Sequence, residues 1–236
     1  MLPILQFPKY TITVPSTRKT IEFRPYRVGE EKILMLAMES EDEKQMINGV
    51  KDIIRACTFD KLNPDELTSV DLEYIFLKLR AKSVGETSTV KIKCQNEACG
   101  HQVETDINLD TIEPSFGPQA SSTITITPTV GLTLKPVTIS AMAKLASTGK
   151  SKIETVTNLI IASIESIYDE KGVYRAEDHT HEELSAFVDS LSASHLNQIK
   201  AYIESLPRLS KDLQFTCPKC KEAQKLTLVG LQSFFA

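Results

Sequence analysis

The chain has 236 residues, enough for one large domain or two small ones with a sizeable core. With 41% hydrophobic and 25% charged residues it reads as a folded protein, and a formal net charge of −4 argues against a generic nucleic-acid surface, which is usually basic. No apolar stretch is long enough to cross a bilayer, and the opening "MLPILQFPKY" lacks the basic region and cleavage site of a signal peptide, so the expected starting compartment is a cytosol.

In chain order, "YTITVPSTRKTIEFRPY" shows two short alternating segments around "PSTRK", the pattern of a β-hairpin. "GEEKILMLAMESEDEKQMINGVKDIIRACTFD" carries helical apolar spacing at Ile33, Leu36 and Ala37, and again at Ile47, Val50 and Ile54. Glu30 and Glu31 suit a first helical turn. In "NPDELTSVDLEYIFLKLRAKSVGE", Val70, Tyr74, Leu77 and Ala81 share one face, and Leu72, Ile75 and Leu79 widen it into the broad stripe of a buried helix. "TVKIK" then reads as a strand into Cys94, and "HQVETDI" as a strand away from Cys99. "DTIEPSFGPQASS" is a Pro/Gly/Ser-rich linker, and "TITITPTVGLTLKPVTIS" reads as two strands. Helical patterns follow in "AMAKLASTGK", "KIETVTNLIIASIESIYDE" and "HTHEELSAFVDSLSASHLNQIKAYIESLP", up to Pro207. "LQFT" leads into Cys217, and "QKLTLV" away from Cys220.

Cys94 and Cys99, and Cys217 and Cys220, therefore sit at the tips of two hairpins. Two such hairpins packed together present four thiolates at tetrahedral positions, the arrangement of a zinc ribbon. The gap between Cys94 and Cys99 is wider than the usual two residues but within the tolerated range. The long stretch from Cys99 to Cys217 makes the ribbon a split one. Two disulfides or four unpaired thiols are the alternatives; reduced thiols in a cytosol favour metal. His101 could stand in for one cysteine, or lie exposed beside the site. Gly100 allows the positive φ of a tight knuckle, and Pro218 stiffens the other. Four protein ligands leave no open position, so the zinc would be structural, one per chain, with Lys91, Lys93, Lys219 and Lys221 offsetting the excess thiolate charge. Cys57 reads as a small buried hydrophobe.

The fold class expected is α+β. An N-terminal hairpin with helices spans 1–90 and the first zinc hairpin 91–110. An inserted, mainly helical α+β domain spans 111–210. The second zinc hairpin and an apolar tail span 211–236 and complete the ribbon.

No catalytic constellation emerges. "HTHEEL" lacks the second histidine of HExxH, and Thr180 with Glu183 reads as a helix cap and capping box. "STGKS" lacks the upstream glycine and strand of a phosphate loop and reads as a helix-ending turn. His195 is a lone helical histidine. There is no GxSxG elbow and no dinucleotide fingerprint.

Three stretches taken together, "FRPYRVGEEKILMLAMES", "DLEYIFLKLRAKSVGE" and "SLPRLSKDLQFTCPKC…LVGLQSFF", resemble the baseplate hub proteins of T-even-type contractile-tailed bacteriophages. The likeness runs from Leu2 to Phe235 and lies in order and spacing rather than in one motif. It implies a non-enzymatic subunit or assembly protein of the central hub. Its implied partners are other hub and tail proteins, its sites the host cytoplasm and the virion tail baseplate. No membrane or small-molecule substrate is implied. Family members vary in their cysteines, so zinc rests on this chain's own four thiols. The rival class is a zinc-ribbon nucleic-acid-binding regulator, which flanking lysines favour and the acidic balance opposes.

The ending "LVGLQSFFA" places large apolar side chains at a terminus. Leu228 and Leu231 are expected to fold back on the ribbon or on the N-terminal helices. Phe234 and Phe235 are expected to dock against another hub subunit.

Overall fold

The computed structural model describes residues 7–39, 42–148 and 151–234. Among them are seven α-helices and four small antiparallel sheets, an α+β architecture. The chain divides into two compact units, Met1–Ser115 with Pro207–Ala236, and Phe116–Leu206.

The first unit opens with the expected hairpin. Strands β1 (Tyr10–Thr13) and β2 (Thr20–Phe23) pair with Ile12 opposite Ile21, and Arg18 takes the positive φ that their turn needs. Helix α1 (Val28–Glu39) starts where Glu30 accepts a hydrogen bond from the Arg27 N–H at 2.6 Å. Helix α2 (Glu43–Cys57) is capped by Asp42, which accepts from the Lys44 N–H. The two helices meet at Gly49, where a Cβ would sit 3.3 Å from the Ala37 methyl. So close an approach seats the buried Ala37 against the glycine, with the Ile33 side chain beside it. The apolar stripe expected on α1 is corrected accordingly: Leu36 is 66% exposed and Ile33 43%. On α2, Val50 and Ile54 are buried, as their spacing predicts, with Ile53 and Cys57 beside them, while Ile47 is half-buried.

Helix α3 (Ser69–Ser83) is the centre of the unit and is buried on nearly every side. Thr68 and Asp71 form its capping box. Its buried Asp71 and Lys78 are paired, as burial demands. Asp71 accepts from the Ser16 N–H at 2.9 Å, and Lys78 donates to Glu113 at 2.9 Å. Strands β3 (Thr87–Lys93) and β4 (Gln102–Asn108) follow as a hairpin, with Ser88, Val90 and Ile92 facing inward by strict alternation. A two-residue strand, β5 (Pro114–Ser115), ends this stretch.

The second unit is continuous. Strands β6 (Thr123–Thr125) and β7 (Gly131–Leu134) lead to helices α4 (Ile139–Thr148) and α5 (Lys152–Ser163). Strands β8 (Ile164–Tyr168) and β9 (Val173–Arg175) complete a sheet ordered β6-β7-β8-β9, and helices α6 (His181–Asp189) and α7 (Ala193–Ser205) follow. The expectation of a helix throughout "KIETVTNLIIASIESIYDE" fails after Ser163. "IESIY" instead pairs with β7, because β-branched and aromatic residues gain more as the interior strand of a sheet than as two more helical turns. Helix α4 ends within "STGKS", as expected, and Ser151 at its close also starts α5, forming a capping box with Glu154. Thr180 and Glu183 form the capping box expected of them. The core gathers Ile124, Leu132, Ile164, Leu184 and Ile199. The unit's two ends meet where Gly117 lies against Glu204; a Cβ there would fall 2.4 Å from the Glu204 carbonyl oxygen, so no other residue fits unless the backbone shifts.

The chain then returns to the first unit. Strand β10 (Arg208–Thr216) pairs with β5 through Arg208 opposite Ser115, and with β11 (Ala223–Val229) along its length. The chain therefore leaves and re-enters the first unit on neighbouring strands.

Candidate metal centre

The β3–β4 and β10–β11 hairpins each end in a knuckle that carries two cysteines. In the first, the Cys94 N–H donates to the His101 carbonyl at 2.8 Å, while the Cys99 and Gly100 N–H groups donate to the Asn96 carbonyl. Gly100 has φ +55, the left-handed conformation the sequence suggested for it. In the second, the Cys217 N–H donates to the Glu222 carbonyl, and the Lys221 N–H to the Cys217 carbonyl. Here Lys221 supplies the positive φ, which the sequence gave no reason to expect of a lysine.

The four sulfurs converge. Cys94 and Cys220 Sγ lie 3.7 Å apart, Cys99 and Cys217 Sγ 3.8 Å apart, and all four atoms fall within 4.8 Å of one another. These are not disulfides, whose sulfurs would be about 2.05 Å apart; all five cysteines are free. Ligands at the roughly 2.3 Å of a zinc–thiolate bond, on the corners of a tetrahedron, would be about 3.8 Å from each other. The closest sulfur pairs match that spacing, so the donor set fits a tetrahedral metal ion. Each pair joins one hairpin to the other, so a bound ion would tie residues 118 and 126 positions apart.

The protonation pattern of the thiols points the same way. The N–H groups of Cys220 and Lys219 hold the Cys217 thiol down at about 7. At Cys220 the Glu222 N–H acts in that direction too, but desolvation and the facing sulfurs of Cys217, Cys94 and Cys99 outweigh it and lift that thiol to about 12. The Cys217 thiolate forms readily, whereas that of Cys220 forms only if a cation balances it.

A second layer of contacts was missed in the sequence. The Gln224 side chain donates to Cys94 Sγ at 2.9 Å and accepts from the Gln95 N–H at 2.9 Å, so a residue of the second hairpin braces the knuckle of the first. Asn96 donates to Glu222 at 2.9 Å across the same junction. The available signal was a glutamine at an inward-facing position of β11, where it is buried. His101 is exposed and gives the site its carbonyl rather than its ring. Lys91 lies 3.9 Å from Glu104 rather than serving the sulfurs alone. Cys57 is buried far along the sequence on α2, 3.7 Å from the Arg24 guanidinium. His181 bonds to the Asn158 side chain, and His195 accepts from the Ser192 N–H at its own helix start, so both have structural roles.

The expectation for Phe234 is corrected. It is fully buried, its carbonyl accepts a hydrogen bond from Ser88 Oγ on β3 at 2.9 Å, and it packs in the core instead of facing a partner. Gly230, at φ +75, turns the chain after β11 so that this residue can reach back. Leu228 is buried, as expected; Phe235 lies outside the described residues.

No curated protein and no solved structure matches the chain at a significant level. The family model described as T4 bacteriophage base plate protein matches residues 7–236, nearly the whole chain and both cysteine hairpins. The chain belongs to the T4 bacteriophage base plate protein family.

Proposed function

We propose that this protein is a structural or assembly subunit of the central hub of a contractile phage tail baseplate, and that one zinc ion held by Cys94, Cys99, Cys217 and Cys220 closes a split zinc ribbon within it. It works in the host cytoplasm during assembly and in the tail baseplate of the virion, through contacts with other hub and tail proteins, and it is not an enzyme. The observation that carries the zinc reading is the sulfur spacing of 3.7 and 3.8 Å between hairpins whose cysteines lie 126 and 118 residues apart in the chain. Four thiolates are the soft donor set that suits zinc, and they fill its tetrahedron. With no position left for water or substrate, the ion supplies rigidity and no Lewis-acid chemistry. It neutralises part of the thiolate charge and joins two strands that the sequence keeps far apart. Family membership supports the baseplate reading; the position in the hub extends it.

Metal analysis of the chain purified without chelator tests the first part: one zinc per chain is expected, and a folded, metal-free protein overturns it. A reconstruction or mass spectrometry of purified baseplates and virions tests the second. A location outside the hub, with no role in building it, overturns that part.

A further inference from the structure

Among the described residues, strand β1 has one partner, β2, and its other edge is unpaired. The Val14 N–H donates to the Lys19 carbonyl, so Val14 and Lys19 form a hydrogen-bonded pair. Pairs alternate along an antiparallel ladder, so Ile12 and Tyr10 also bond to β2, and Thr11 and Thr13 turn their backbone N–H and C=O groups outward. Those groups have no partner among the described residues.

The open edge lines a groove of about 630 Å³. One wall is the run from Lys9 to Thr13. The facing wall is one side of α3, where Tyr74, Lys78 and Lys82 recur at every fourth residue. The two walls match in length: the four strand steps from Lys9 to Thr13 span about 13 Å, and the eight helical steps from Tyr74 to Lys82 about 12 Å. Three lysines line the groove against two carboxylates, Asp110 and Glu113, an excess of one positive charge in a chain whose net charge is −4. Lys78 is committed to Glu113 and Lys82 to Glu86 and Asp110, whereas Lys9, 3.7 Å from Glu22 and 5.1 Å from the centre of the Phe59 ring, remains 60% exposed.

We infer that this groove is a docking site for an extended segment of another baseplate protein, which adds to β1 as a third strand and places an acidic side chain at Lys9. The inference rests on the baseplate role, because a subunit built into an assembly is where such a segment would come from. Main-chain hydrogen bonds to Thr11 and Thr13 supply the register, and alternate side chains of the incoming strand meet the Tyr74–Lys82 face of α3. A sheet edge left bare is otherwise a hazard that proteins cover or blunt.

The test follows amide exchange at Thr11 and Thr13 in the free chain and in baseplate assemblies formed by co-expression with the phage's other baseplate proteins. Slowing by 100-fold or more on assembly is expected. Thr11→Pro removes one outward N–H at a position where an edge strand tolerates proline, and should cut incorporation at least tenfold while zinc content and thermal midpoint hold. Lys9→Glu should cut it less, by about threefold to tenfold. Unslowed amides in the assembly, or wild-type incorporation of Thr11→Pro, overturn the groove and leave the baseplate role standing. Protection in the free chain that vanishes on deleting residues 1–6, or on dilution, also overturns it, since the occupant would then be the chain's own segment or a second copy. If Thr11→Pro fails to fold, exchange in the wild-type assembly decides alone. A wild-type chain that joins no baseplate assembly overturns both readings.

Discussion

The unit spanning residues 116–206 is continuous in sequence, whereas the cysteine-bearing unit is assembled from residues 1–115 and 207–236. The continuous unit closes around an apolar core, with Leu132, Ile164 and Ile199 all but inaccessible. The split unit must hold together strands separated by more than a hundred residues, and closing a loop of that length costs roughly 4–5 kcal/mol. Three features oppose that cost: the pairing of β5 with β10, the burial of Phe234 under β3, and the sulfur cluster joining the knuckles. Gly117 against Glu204 lowers the cost further, because the inserted unit already holds its own ends together when folded. A long insertion is therefore tolerated where the inserted unit is self-closing, and the proposed zinc ion would add a cross-link at the host unit's far end.

The largest effect should come from breaking that cross-link. Zinc binding to small thiolate and imidazole sites amounts to about 10–16 kcal/mol of apparent free energy near neutral pH. Stripping the metal with a strong chelator, or Cys217→Ser, should open the β10–β11 hairpin and raise its amide exchange at least 100-fold. Exchange in α7 and β7, in the other unit, should stay within a factor of a few. Equal loosening of both units would mean that they do not close separately.

Next come paired core truncations, one in each unit. Phe234→Ala removes a fully buried ring, and Ile199→Ala a fully buried branched side chain. Each should cost about 3 kcal/mol, within the range for such cavities. In chemical denaturation followed by unit-resolved exchange, Phe234→Ala should destabilise the cysteine unit alone and Ile199→Ala the continuous unit alone. If Phe234→Ala leaves stability unchanged, its burial does not hold the C-terminus.

Much of this division was legible in the sequence, for identifiable reasons. Alternation in "TVKIK" and "QKLTLV" revealed the hairpins, and the cysteines at their tips revealed the convergence of four thiols, since few chemical roles need that spacing. The dense apolar run of α3 and the box at Thr180 and Glu183 were legible because each is decided locally. What was hidden depends on distant partners. "IESIY" becomes a strand only because β7 is there to pair with it. Leu36 is exposed because Gly49 draws Ala37 into the helix contact. Phe234 looked free because nothing local shows Ser88, 146 residues earlier in the chain, waiting for its carbonyl.

A smaller effect should separate the ligands from the residue that braces them. Gln224→Ala leaves all four sulfurs in place but removes the donor to Cys94 and the acceptor for the Gln95 N–H. Contacts behind metal ligands are typically worth 10- to 100-fold in affinity. Competition with a chromogenic chelator should therefore show zinc bound 10- to 100-fold more weakly, with stoichiometry still one per chain. Unchanged affinity would reduce Gln224 to a packing residue.

The smallest effect belongs to Cys57, the one cysteine outside the cluster. It is buried on α2, and desolvation, partly countered by the Arg24 guanidinium, pushes its thiol up to about 11. The thiolate is the reactive form, so a raised value means that at pH 8 only about one molecule in a thousand carries it, against about one in ten at the ordinary value of 9. Burial restricts access as well. Iodoacetamide at pH 8 should leave Cys57 unmodified in the metal-loaded chain. After chelation, Cys217, held near 7, should label first, with Cys57 still protected because α2 does not depend on the metal. Raising the pH from 8 towards 10 should speed its modification, since the rate follows the thiolate population until the folded value is passed. Cys57→Ala should leave zinc content unchanged and shift the thermal midpoint by only a degree or two. If chelation instead exposes Cys57 as fast as Cys217, the metal holds together far more of the unit than its two hairpins, and the cross-link is the centre of that unit's stability rather than its far end.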